Sequence, residues 1–342
     1  MSEMLPAVSV VVPCRNERAH IEGFVSSILA QEAPPGGFEI IIADGMSSDG
    51  TRDVLTRAAG QDSRLRIIDN PERIVSTGLN RAIAAARGGV IVRVDVHTEY
   101  APDYLRQCHA VLEETGADNV GGPWIAAGRG YVSCAIAAAF QSPFGSGGAH
   151  AHDPSYEGAV DTVYLGCWRR EYLQRIGGFD EQLVRNQDDE LNLRICRTGG
   201  AVWQCPKIRS RYFVRGSLTA LFKQYLQYGY WKVRVIQKHR LPASLRQLVP
   251  AAFVLSLVSL SILSPVARPA QVALAGVAAS YLACNLTASV VTAARSRWIS
   301  LPVLPLVFLC YHLGYGVGFL RGIVDVVFLG RGASARMSAL TR

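Results

Sequence analysis

Three long apolar runs near the end of the chain constrain its fold more than any other feature of the sequence. They cover residues 248–267, 270–294 and 299–320 of the 342 residues. Each is close to the roughly 20 residues that an α-helix needs to cross a bilayer core. We therefore expect residues 241–342 to form a membrane region with two to three hydrophobic helices, in preference to a soluble helical hairpin domain.

The orientation of these helices is ambiguous in the sequence. If the chain before them is cytoplasmic, three full crossings place the tail that carries Arg331, Arg336 and Arg342 outside. That arrangement opposes the tendency of basic residues to stay on the cytoplasmic side. Either one segment is re-entrant or interfacial, or the tendency is not followed here.

The first 240 residues differ from the rest because short apolar runs alternate with stretches of helical spacing. Such alternation predicts a parallel sheet with helices on both faces, and these sheets bind ligands at the carboxyl ends of their strands. Polar residues directly after each strand are therefore the candidate site residues. The predicted strands are 8–12, 38–43, 65–69 and 90–94, and the predicted helices are 18–31, 48–59 and 76–86.

Charge and cysteine usage exclude several classes of function. Lys and Arg number 35 against 27 Asp and Glu, which gives a net charge of +8. No basic run with interleaved aromatics and no Cys/His finger spacing occurs, so we expect no nucleic-acid partner. The eight cysteines contain no Cys-x-x-Cys pair, which is typical of a reduced compartment. No secretory signal precedes the first strand, so residues 1–240 are expected to be cytoplasmic.

Two acidic elements follow predicted strands. Asp44 with Asp49 can bind a uracil ring, although ordinary turn and helix-cap chemistry explains the same residues. Asp95 and His97, at positions i and i+2 after the fourth strand, can converge on a divalent ion that grips a diphosphate. A plain strand end at the surface is the alternative reading of that pair.

Three further segments carry possible chemistry. The acidic turn at 186–194 offers a general base at a helix start, or it simply complements the helix dipole. The aromatic and amide-rich segment 224–232 is suited to stacking on sugars or to a membrane interface. The glycine-rich stretch 144–154 is a poor helix or strand former and is expected to be a mobile loop.

Five motifs within residues 5–240 are informative when they are taken together. They are Val10-Val-Val-Pro-Cys-Arg-Asn-Glu17, Ile42-Ala-Asp-Gly-Met-Ser-Ser-Asp-Gly-Thr51, Gly78-Leu-Asn-Arg-Ala82, Arg170-Glu-Tyr-Leu-Gln-Arg-Ile-Gly-Gly-Phe-Asp180 and Gln187-Asp-Asp-Glu-Leu191. In this order they resemble the motifs of family 2 glycosyltransferases. Three further segments, Asp95-Val-His-Thr-Glu-Tyr100, Ser142-Pro-Phe-Gly145 and Tyr228-Gly-Tyr-Trp231, look most similar to the glucosyltransferases of succinoglycan biosynthesis within that family.

The resemblance implies an α/β fold of the GT-A type, with a Rossmann-like mixed sheet in residues 1–240, followed by transmembrane helices. It assigns Asp188 as catalytic base and a divalent metal, Mn²⁺ or Mg²⁺, to Asp95 and His97. Acceptor binding falls to Gln227 and Trp231. The nucleotide-sugar pocket would be lined by Pro13, Arg15, Glu17, Asp44 and Asp95.

The chain departs from the family pattern at three positions. His97 stands where the metal motif usually has a second Asp, so Mg²⁺ binding should be poorer. Gln187 replaces the Glu that normally precedes the catalytic Asp. Tyr230 occupies the Arg position of the Gln-x-x-Arg-Trp motif, which argues against a long-chain polymer synthase.

The resemblance implies an inverting transfer of a hexose, with glucose favoured, from a UDP-sugar to a hydroxyl of a polyprenyl-diphosphate-linked saccharide in exopolysaccharide assembly. It places the protein in the inner membrane as a multi-pass protein beside other polysaccharide-assembly enzymes. The loop Gly145–Gly148 is expected to close over the donor and exclude water.

The sequence leaves two other functions open and disfavours a third. A polyprenyl-phosphate sugar synthase has an acceptor that is already an anion and needs no base. A non-catalytic membrane scaffold would tolerate the departures at His97 and Gln187. The sequence argues against a dinucleotide oxidoreductase, because no Gly-x-Gly-x-x-Gly follows the first strand.

Overall fold

A computed structural model describes residues 5–330 and residue 337 of the chain. The described residues divide into two compact units, each with its own hydrophobic core. The first unit comprises residues 5–125 and 153–212. The second comprises residues 126–152 and the described residues from 213 onward.

Strands and helices alternate in the first half of the chain, as expected, and long helices dominate the second half. The strands are β1 (Val8–Cys14), β2 (Phe38–Asp44), β3 (Leu65–Asp69), β4 (Val90–Arg93), β5 (Thr98–Tyr100), β6 (Asn119–Gly122), β7 (Ala126–Ala127), β8 (Gly158–Ala159), β9 (Tyr164–Arg169), β10 (Val202–Gln204) and β11 (Ser210–Phe213). The helices are α1 (Ile21–Leu29), α2 (Thr51–Gln61), α3 (Val75–Ala85), α4 (Tyr104–Thr115), α5 (Tyr131–Phe140), α6 (Pro143–Ser146), α7 (Arg170–Arg175), α8 (Gln187–Arg197), α9 (Leu218–His239), α10 (Val249–Leu263), α11 (Arg268–Arg295) and α12 (Leu304–Gly322).

The first unit is built on an eight-stranded mixed sheet with the order β3-β2-β1-β4-β9-β6-β10-β8. The first four strands run parallel, which confirms the prediction for this part of the chain. Strand β9 is antiparallel to both of its neighbours, β4 and β6, and so makes the sheet mixed. A second pairing, antiparallel, joins β5 to β11.

Helices cover both faces of this sheet because the central strands are apolar on both sides. In β1, Val10 and Val12 pack into the core beneath α1, α2 and α4, whereas Val11 packs into the opposite core with α3, α7 and α8. All three valines are fully buried. Alternate residues of a strand point to opposite faces, so a continuous Val/Ile run satisfies two cores at once.

The second unit is held together by close packing of α9 along α12. A Cβ atom at Gly318 would overlap the carbonyl oxygen of Leu226, and one at Gly314 would lie 3.0 Å from the carbonyl oxygen of Phe222. Gly322 makes the same kind of approach, with the Tyr230 carbonyl oxygen 2.8 Å from such an atom. Small residues at four-residue spacing let two helix backbones approach closely, which is the way helices associate in membranes.

Three helices of the second unit are long and apolar enough to cross a membrane. They are Leu245–Leu263, Arg268–Arg295 and Leu304–Phe328. Of the most apolar segment of each helix, 11% of the residues are buried in the first and in the second helix, and 44% in the third. The third helix is more buried because α12 also packs on α9. The three apolar runs predicted from the sequence therefore overlap these three helices, with ends that differ by up to eight residues. The basic tail with Arg331, Arg336 and Arg342 lies outside the described residues.

Two expectations about local structure need correction. The glycine-rich stretch is not loop throughout, because α6 extends into it as far as Ser146 and a 3-10 turn covers His150–His152. The Phe144 ring packs edge-on against Phe308 and His312 of α12, with ring centroids 5.1 and 4.8 Å apart. Helix α2 begins at Thr51 rather than at Ser48, after Gly50 in a left-handed conformation.

The structure also groups α9 with the apolar helices in the second unit. The domain boundary near residue 240 stays a prediction about where the membrane region begins.

Candidate active site

The candidate site lies at the carboxyl edge of the parallel strands. Paired register puts Cys14 beside Asp44 and Asp44 beside Asp69, so the polar residues after β1, β2 and β3 share one edge. Strand order reverses between β1 and β4, which are neighbours although the chain visits β2 and β3 between them. Ligands of open α/β sheets bind at such a switch point.

Side chains bond the loops after β1 and β2 to each other. The Asn16 N–H donates to the Ser47 hydroxyl at 2.8 Å, and the Ser48 N–H donates to the Asn16 side-chain oxygen at 2.8 Å. The Glu17 N–H donates to the Thr51 hydroxyl at 2.7 Å. These bonds tie Asn16 and Glu17 of the first motif to Ser47, Ser48 and Thr51 of the second, and they give the edge a fixed shape.

Asp44, which the resemblance assigns to the uracil, ends β2 and is 2% exposed. The Ser47 hydroxyl donates to one carboxylate oxygen and Arg52 donates to the other at 3.1 Å. Arg52 also pairs with the exposed Asp69 at 2.7 Å. Asp44 is therefore an oriented, charge-compensated carboxylate, as a group that must recognise a ring N–H should be.

Pro13 and Arg15 are predicted to line the nucleotide pocket, and both are half-buried. Pro13 lies near the end of β1 and Arg15 in the loop after it. The loop after β2 crosses so closely that a Cβ atom at Gly45 would lie 3.1 Å from the Arg15 Cβ. Within the described part of the chain, the buried Nε of Arg15 has no hydrogen-bond partner. A buried donor without a protein partner is costly unless a ligand supplies the acceptor.

Glu17 and His97 meet across the switch point. The His97 Nε2 lies 2.8 Å from a carboxylate oxygen of Glu17, which is buried, whereas the His97 side chain is 42% exposed. The His20 ring packs edge-on against His97, with centroids 4.7 Å apart. The structure thus brings a predicted nucleotide-binding residue and a predicted metal ligand together.

Asp95 is held by Arg93, two residues before it. The guanidinium donates from Nε and Nη2 to the two carboxylate oxygens at 3.2 and 3.1 Å. The Tyr100 hydroxyl accepts from the Asp95 N–H at 2.6 Å, which fixes the backbone of the same residue. Asp95 therefore has a defined orientation, while 32% of its side chain stays exposed.

Arg93 is also coupled electrostatically to Asp188. Burial alone would lower the pKa of the guanidinium, but the carboxylates of Asp95 and Asp188 raise that pKa by more, so Arg93 is permanently charged. Its cationic centre lies 5.9 Å from the centroid of the Phe179 ring. Arg93 was not among the site residues predicted from the sequence. The signal was a lone charge inside the apolar run Val90-Ile-Val-Arg93.

Asp188, the predicted base, lies half-buried in the first turn of α8. Helix α8 is anchored by Arg194, which pairs with the fully buried Glu190 at 2.7 Å and donates to the Gly178 carbonyl at 2.7 Å. Asn80, from the Gly78-Leu-Asn motif, bonds both backbone groups of Phe179. Two family motifs distant in sequence therefore fix the segment before Asp188.

Gln187, where the family has Glu, begins α8 and is 7% exposed. Its Oε1 has no hydrogen-bond partner among the residues that the structure describes. The amide stands next to Asp188 without adding a negative charge to this turn.

A divalent ion fits this edge only in a restricted way. No group of three His, Cys, Asp or Glu side chains suited to an ion occurs within residues 5–330. However, Mg²⁺-type sites often use one or two carboxylates plus substrate phosphates. A carboxylate has about four lone-pair sites, and Arg93 takes two of those on Asp95. The residues fit an ion that arrives with a diphosphate.

The predicted acceptor-binding residues lie in α9 of the second unit. Gln227 is 4% and Trp231 is 2% exposed, and the Trp231 Nε1 donates to the Met337 carbonyl at 2.9 Å. Tyr230, which replaces the usual Arg, is fully buried. These side chains take part in the packing of α9, and acceptor binding by them stays a prediction.

Comparison with known proteins identifies the family. The model of Glycosyl transferase family 2 matches residues 9–176. The succinoglycan biosynthesis protein ExoA of Rhizobium meliloti (strain 1021) is 32% identical over 321 residues, covering 92% of this chain and 94% of that protein. A Methanococcus voltae protein, the dolichyl N-acetyl-alpha-D-glucosaminyl phosphate 3-beta-D-2,3-diacetamido-2,3-dideoxy-beta-D-glucuronosyltransferase, is 25% identical over 327 residues, covering 93% and 97%.

A solved structure shows the same fold. The mannosyltransferase PcManGT from Pyrobaculum calidifontis, in complex with GDP-Man and Mn²⁺, superimposes with a TM-score of 0.60. The match covers 89% of this chain and 88% of that one at 21% identity. The first unit thus has the GT-A fold that the motifs predicted. Given the 32% identity to a protein of similar length over nearly the whole chain, the chain belongs to glycosyltransferase family 2.

Proposed function

We propose that the protein transfers a hexose, with glucose favoured, from a UDP-sugar to a hydroxyl of a saccharide linked to a polyprenyl diphosphate. The observation that carries the proposal is the switch-point edge. There the buried, oriented Asp44 ends β2, and the loop after the neighbouring strand β1 carries the Arg15 Nε, which has no hydrogen-bond partner among the described residues. A carboxylate suits the N3–H of a uracil ring, and a guanidinium suits the neighbouring phosphates. Pro13 and Glu17 complete the wall of this pocket.

The acceptor class is supported by two relatives that match along nearly their whole length. One is named for succinoglycan biosynthesis and the other for transfer to a dolichyl-linked sugar phosphate. Both names indicate glycan assembly, and the second indicates a lipid-linked acceptor. We assign this chain to exopolysaccharide assembly in association with other polysaccharide-assembly enzymes.

The proposed reaction is a single displacement with inversion at the anomeric carbon. Asp188 accepts the proton of the acceptor hydroxyl as that oxygen attacks, and the bond to the nucleotide diphosphate breaks. Arg15 donates a hydrogen bond to the diphosphate, and Asp44 accepts a hydrogen bond from the uracil ring and so orients it. A divalent ion, Mn²⁺ or Mg²⁺, when held by Asp95 with His97, would stabilise charge on the leaving diphosphate.

The helices of the second unit would keep the protein in the inner membrane. A basic stretch covers the C-terminal half of α9 and the connection from α9 to α10. Arg295 ends α11 and Arg297 follows it, whereas the connection between α10 and α11 has no basic residue and is followed by Arg268, the first residue of α11. This distribution supports a cytoplasmic first unit, because basic loops favour the cytoplasmic side. The basic stretch consists of Lys232, Arg234, Lys238, Arg240 and Arg246.

The test is release of nucleotide diphosphate by the purified protein in lipid, with UDP-glucose, other UDP-sugars and GDP-mannose as donors. Metal-dependent turnover with a UDP-sugar and a lipid-linked saccharide is the expected result, with loss of turnover in Asp188→Asn. Turnover only with GDP-mannose would overturn the donor assignment. Activity that survives in Asp188→Asn would favour a polyprenyl-phosphate synthase, and no turnover with any donor would favour a scaffold.

A further inference from the structure

The position of Arg93 calls for a physical reason. It ends the central strand β4 and is 4% exposed, after three consecutive buried apolar residues. Removing a guanidinium from water is expensive and is tolerated when the charge is paired. An apolar residue would serve the fold of this strand at lower cost, so the charge must act on its neighbours.

Those neighbours are two carboxylates with different proposed tasks. The Nε and Nη2 atoms of the Arg93 guanidinium donate to the two oxygens of the Asp95 carboxylate, and the other side of that carboxylate is exposed to solvent. Asp188 also acts on the same guanidinium electrostatically, and Phe179, from the segment before Asp188, lies beside it. Within the part of the chain that the structure describes, the Arg93 Nη1 has no hydrogen-bond partner.

The charge balance at Asp95 follows from this geometry. The carboxylate of Asp95 and the guanidinium of Arg93 cancel, and His97 lies against Glu17 instead of offering a second acidic ligand. Affinity for a divalent ion rises with the negative charge of its ligands. Without a nucleotide, the carboxyl edge of the sheet is therefore expected to bind a divalent ion weakly. A bound nucleotide diphosphate adds the negative charge that the ion needs.

We propose that Arg93 is a positioning residue that orients Asp95 and neutralises it until the donor arrives, so that the divalent ion binds with the nucleotide and not before it. The inference rests on the proposed function for the identity of the nucleotide. Its central claim, that Arg93 suppresses ion binding to the nucleotide-free protein, does not depend on which nucleotide is used.

The experiment measures Mn²⁺ binding by electron paramagnetic resonance, from the signal of the free ion, on the full protein in lipid nanodiscs. Titrations are run without nucleotide and with UDP, after subtraction of the Mn²⁺–UDP signal in protein-free nanodiscs. In the wild type, UDP should tighten Mn²⁺ binding. In Arg93→Met without UDP, Mn²⁺ should bind at least about 10-fold tighter than in the wild type, because an uncompensated carboxylate is exposed.

A double variant and a matched control assign the effect to the pair. Adding Asp95→Asn to Arg93→Met should abolish the extra Mn²⁺ binding. Arg66→Met removes an arginine from the buried Glu39, 3.0 Å away, at a different place in the same sheet, and should leave Mn²⁺ binding unchanged. Equal nucleotide-free affinities in wild type and Arg93→Met would overturn the proposal.

Arg93→Lys keeps the inference testable if Arg93→Met does not fold. Lysine keeps the charge and loses the fork, so nucleotide-free Mn²⁺ binding should stay weak. The KM for the donor should rise about 10-fold with a smaller change in kcat, since supporting groups around a metal ligand are worth about that much. A donor KM equal to that of the wild type would contradict the positioning role.

If UDP fails to tighten Mn²⁺ binding but GDP succeeds, the proposed donor is wrong and the role of Arg93 stands. If the nucleotide-free affinities of wild type and Arg93→Met agree while UDP still tightens binding, the donor assignment stands and the role of Arg93 falls. The two failures are therefore distinguishable.

Discussion

The carboxyl edge of the sheet and the α9–α12 contact solve opposite packing problems. At the edge, Arg93 and Asp44 carry charges into places that are almost closed to water, and each is paired with an opposite charge. Between α9 and α12, the two backbones pack directly against each other, because Gly314, Gly318 and Gly322 have no side chains to separate them. The first region is set by which side chains are present, and the second by their absence.

Each region is therefore sensitive to a different kind of substitution. Removing one member of a buried charge pair leaves the other uncompensated, which costs several kcal/mol at full burial. Adding atoms to a glycine contact forces the helices apart. Conservative changes are therefore expected to damage the edge, and enlargements the helix contact.

The largest effect is expected at the base. Asp188→Asn should lower kcat by about 10²–10⁴-fold, the usual contribution of general base catalysis, with the donor KM little changed. Steady-state release of nucleotide diphosphate measures both constants. Asp189→Asn, one position further in the same turn, is the matched control. If both variants lose activity equally, the acidic turn matters for the helix and not for proton transfer.

The helix contact is tested by Gly318→Leu. The new side chain would overlap the Leu226 carbonyl, so we expect a loss of about 1–3 kcal/mol or more in stability. Thermal unfolding in detergent provides the measurement. Gly276→Leu in α11 is the control, because an added Cβ there meets nothing within 4 Å. Equal melting temperatures for the wild type and Gly318→Leu would refute the close contact between the helices.

The edge is tested for nucleotide recognition by Asp44→Asn. Loss of a charged hydrogen-bond acceptor costs about 1.5–3 kcal/mol, so UDP affinity should fall at least about tenfold by calorimetry. Asp69→Asn removes the other, exposed partner of Arg52 and should leave UDP affinity unchanged. A fall of the same size in both variants would show that Arg52, and not a contact of Asp44 with uracil, governs binding.

The smallest effect concerns acid stability. Burial tends to raise the pKa of Glu39, but the Arg87 N–H, the Ser9 hydroxyl and Arg66 lower it by more, so it lies below 4.5. A depressed carboxyl pKa stabilises the fold above the unfolded value and loses that effect as the pH falls through the folded pKa.

The melting temperatures of the wild type and Glu39→Gln should therefore converge as the pH is lowered below about 4.5. Glu72→Gln, which removes an exposed partner of Arg81, should show a smaller difference that high salt abolishes. A gap between wild type and Glu39→Gln that is constant from pH 7 to 3 would show that Glu39 does not titrate with the fold.

Much of the fold is encoded locally and was predictable. The apolar runs at Val8, Phe38, Leu65 and Val90 form the four parallel strands, because a continuous Val/Ile run suits a strand buried on both faces. The residues that follow these strands lie at one edge of the sheet, because the carboxyl ends of parallel strands are on the same side. Periodicity does not show strand direction, so the mixed sheet was expected from the family resemblance alone, and the position of the antiparallel β9 between β4 and β6 came from the structure.

The amino-acid sequence was enough to predict a nucleotide-sugar fold followed by two to three apolar helices, and to predict which carboxylates lie at the strand ends. Only the tertiary structure decided that Arg93 joins Asp95 to the charge of Asp188, and that the glycines of α12 face the backbone of α9. Hydrophobic patterning is written into adjacent residues, whereas a charge pair or a backbone contact depends on groups that only folding brings together.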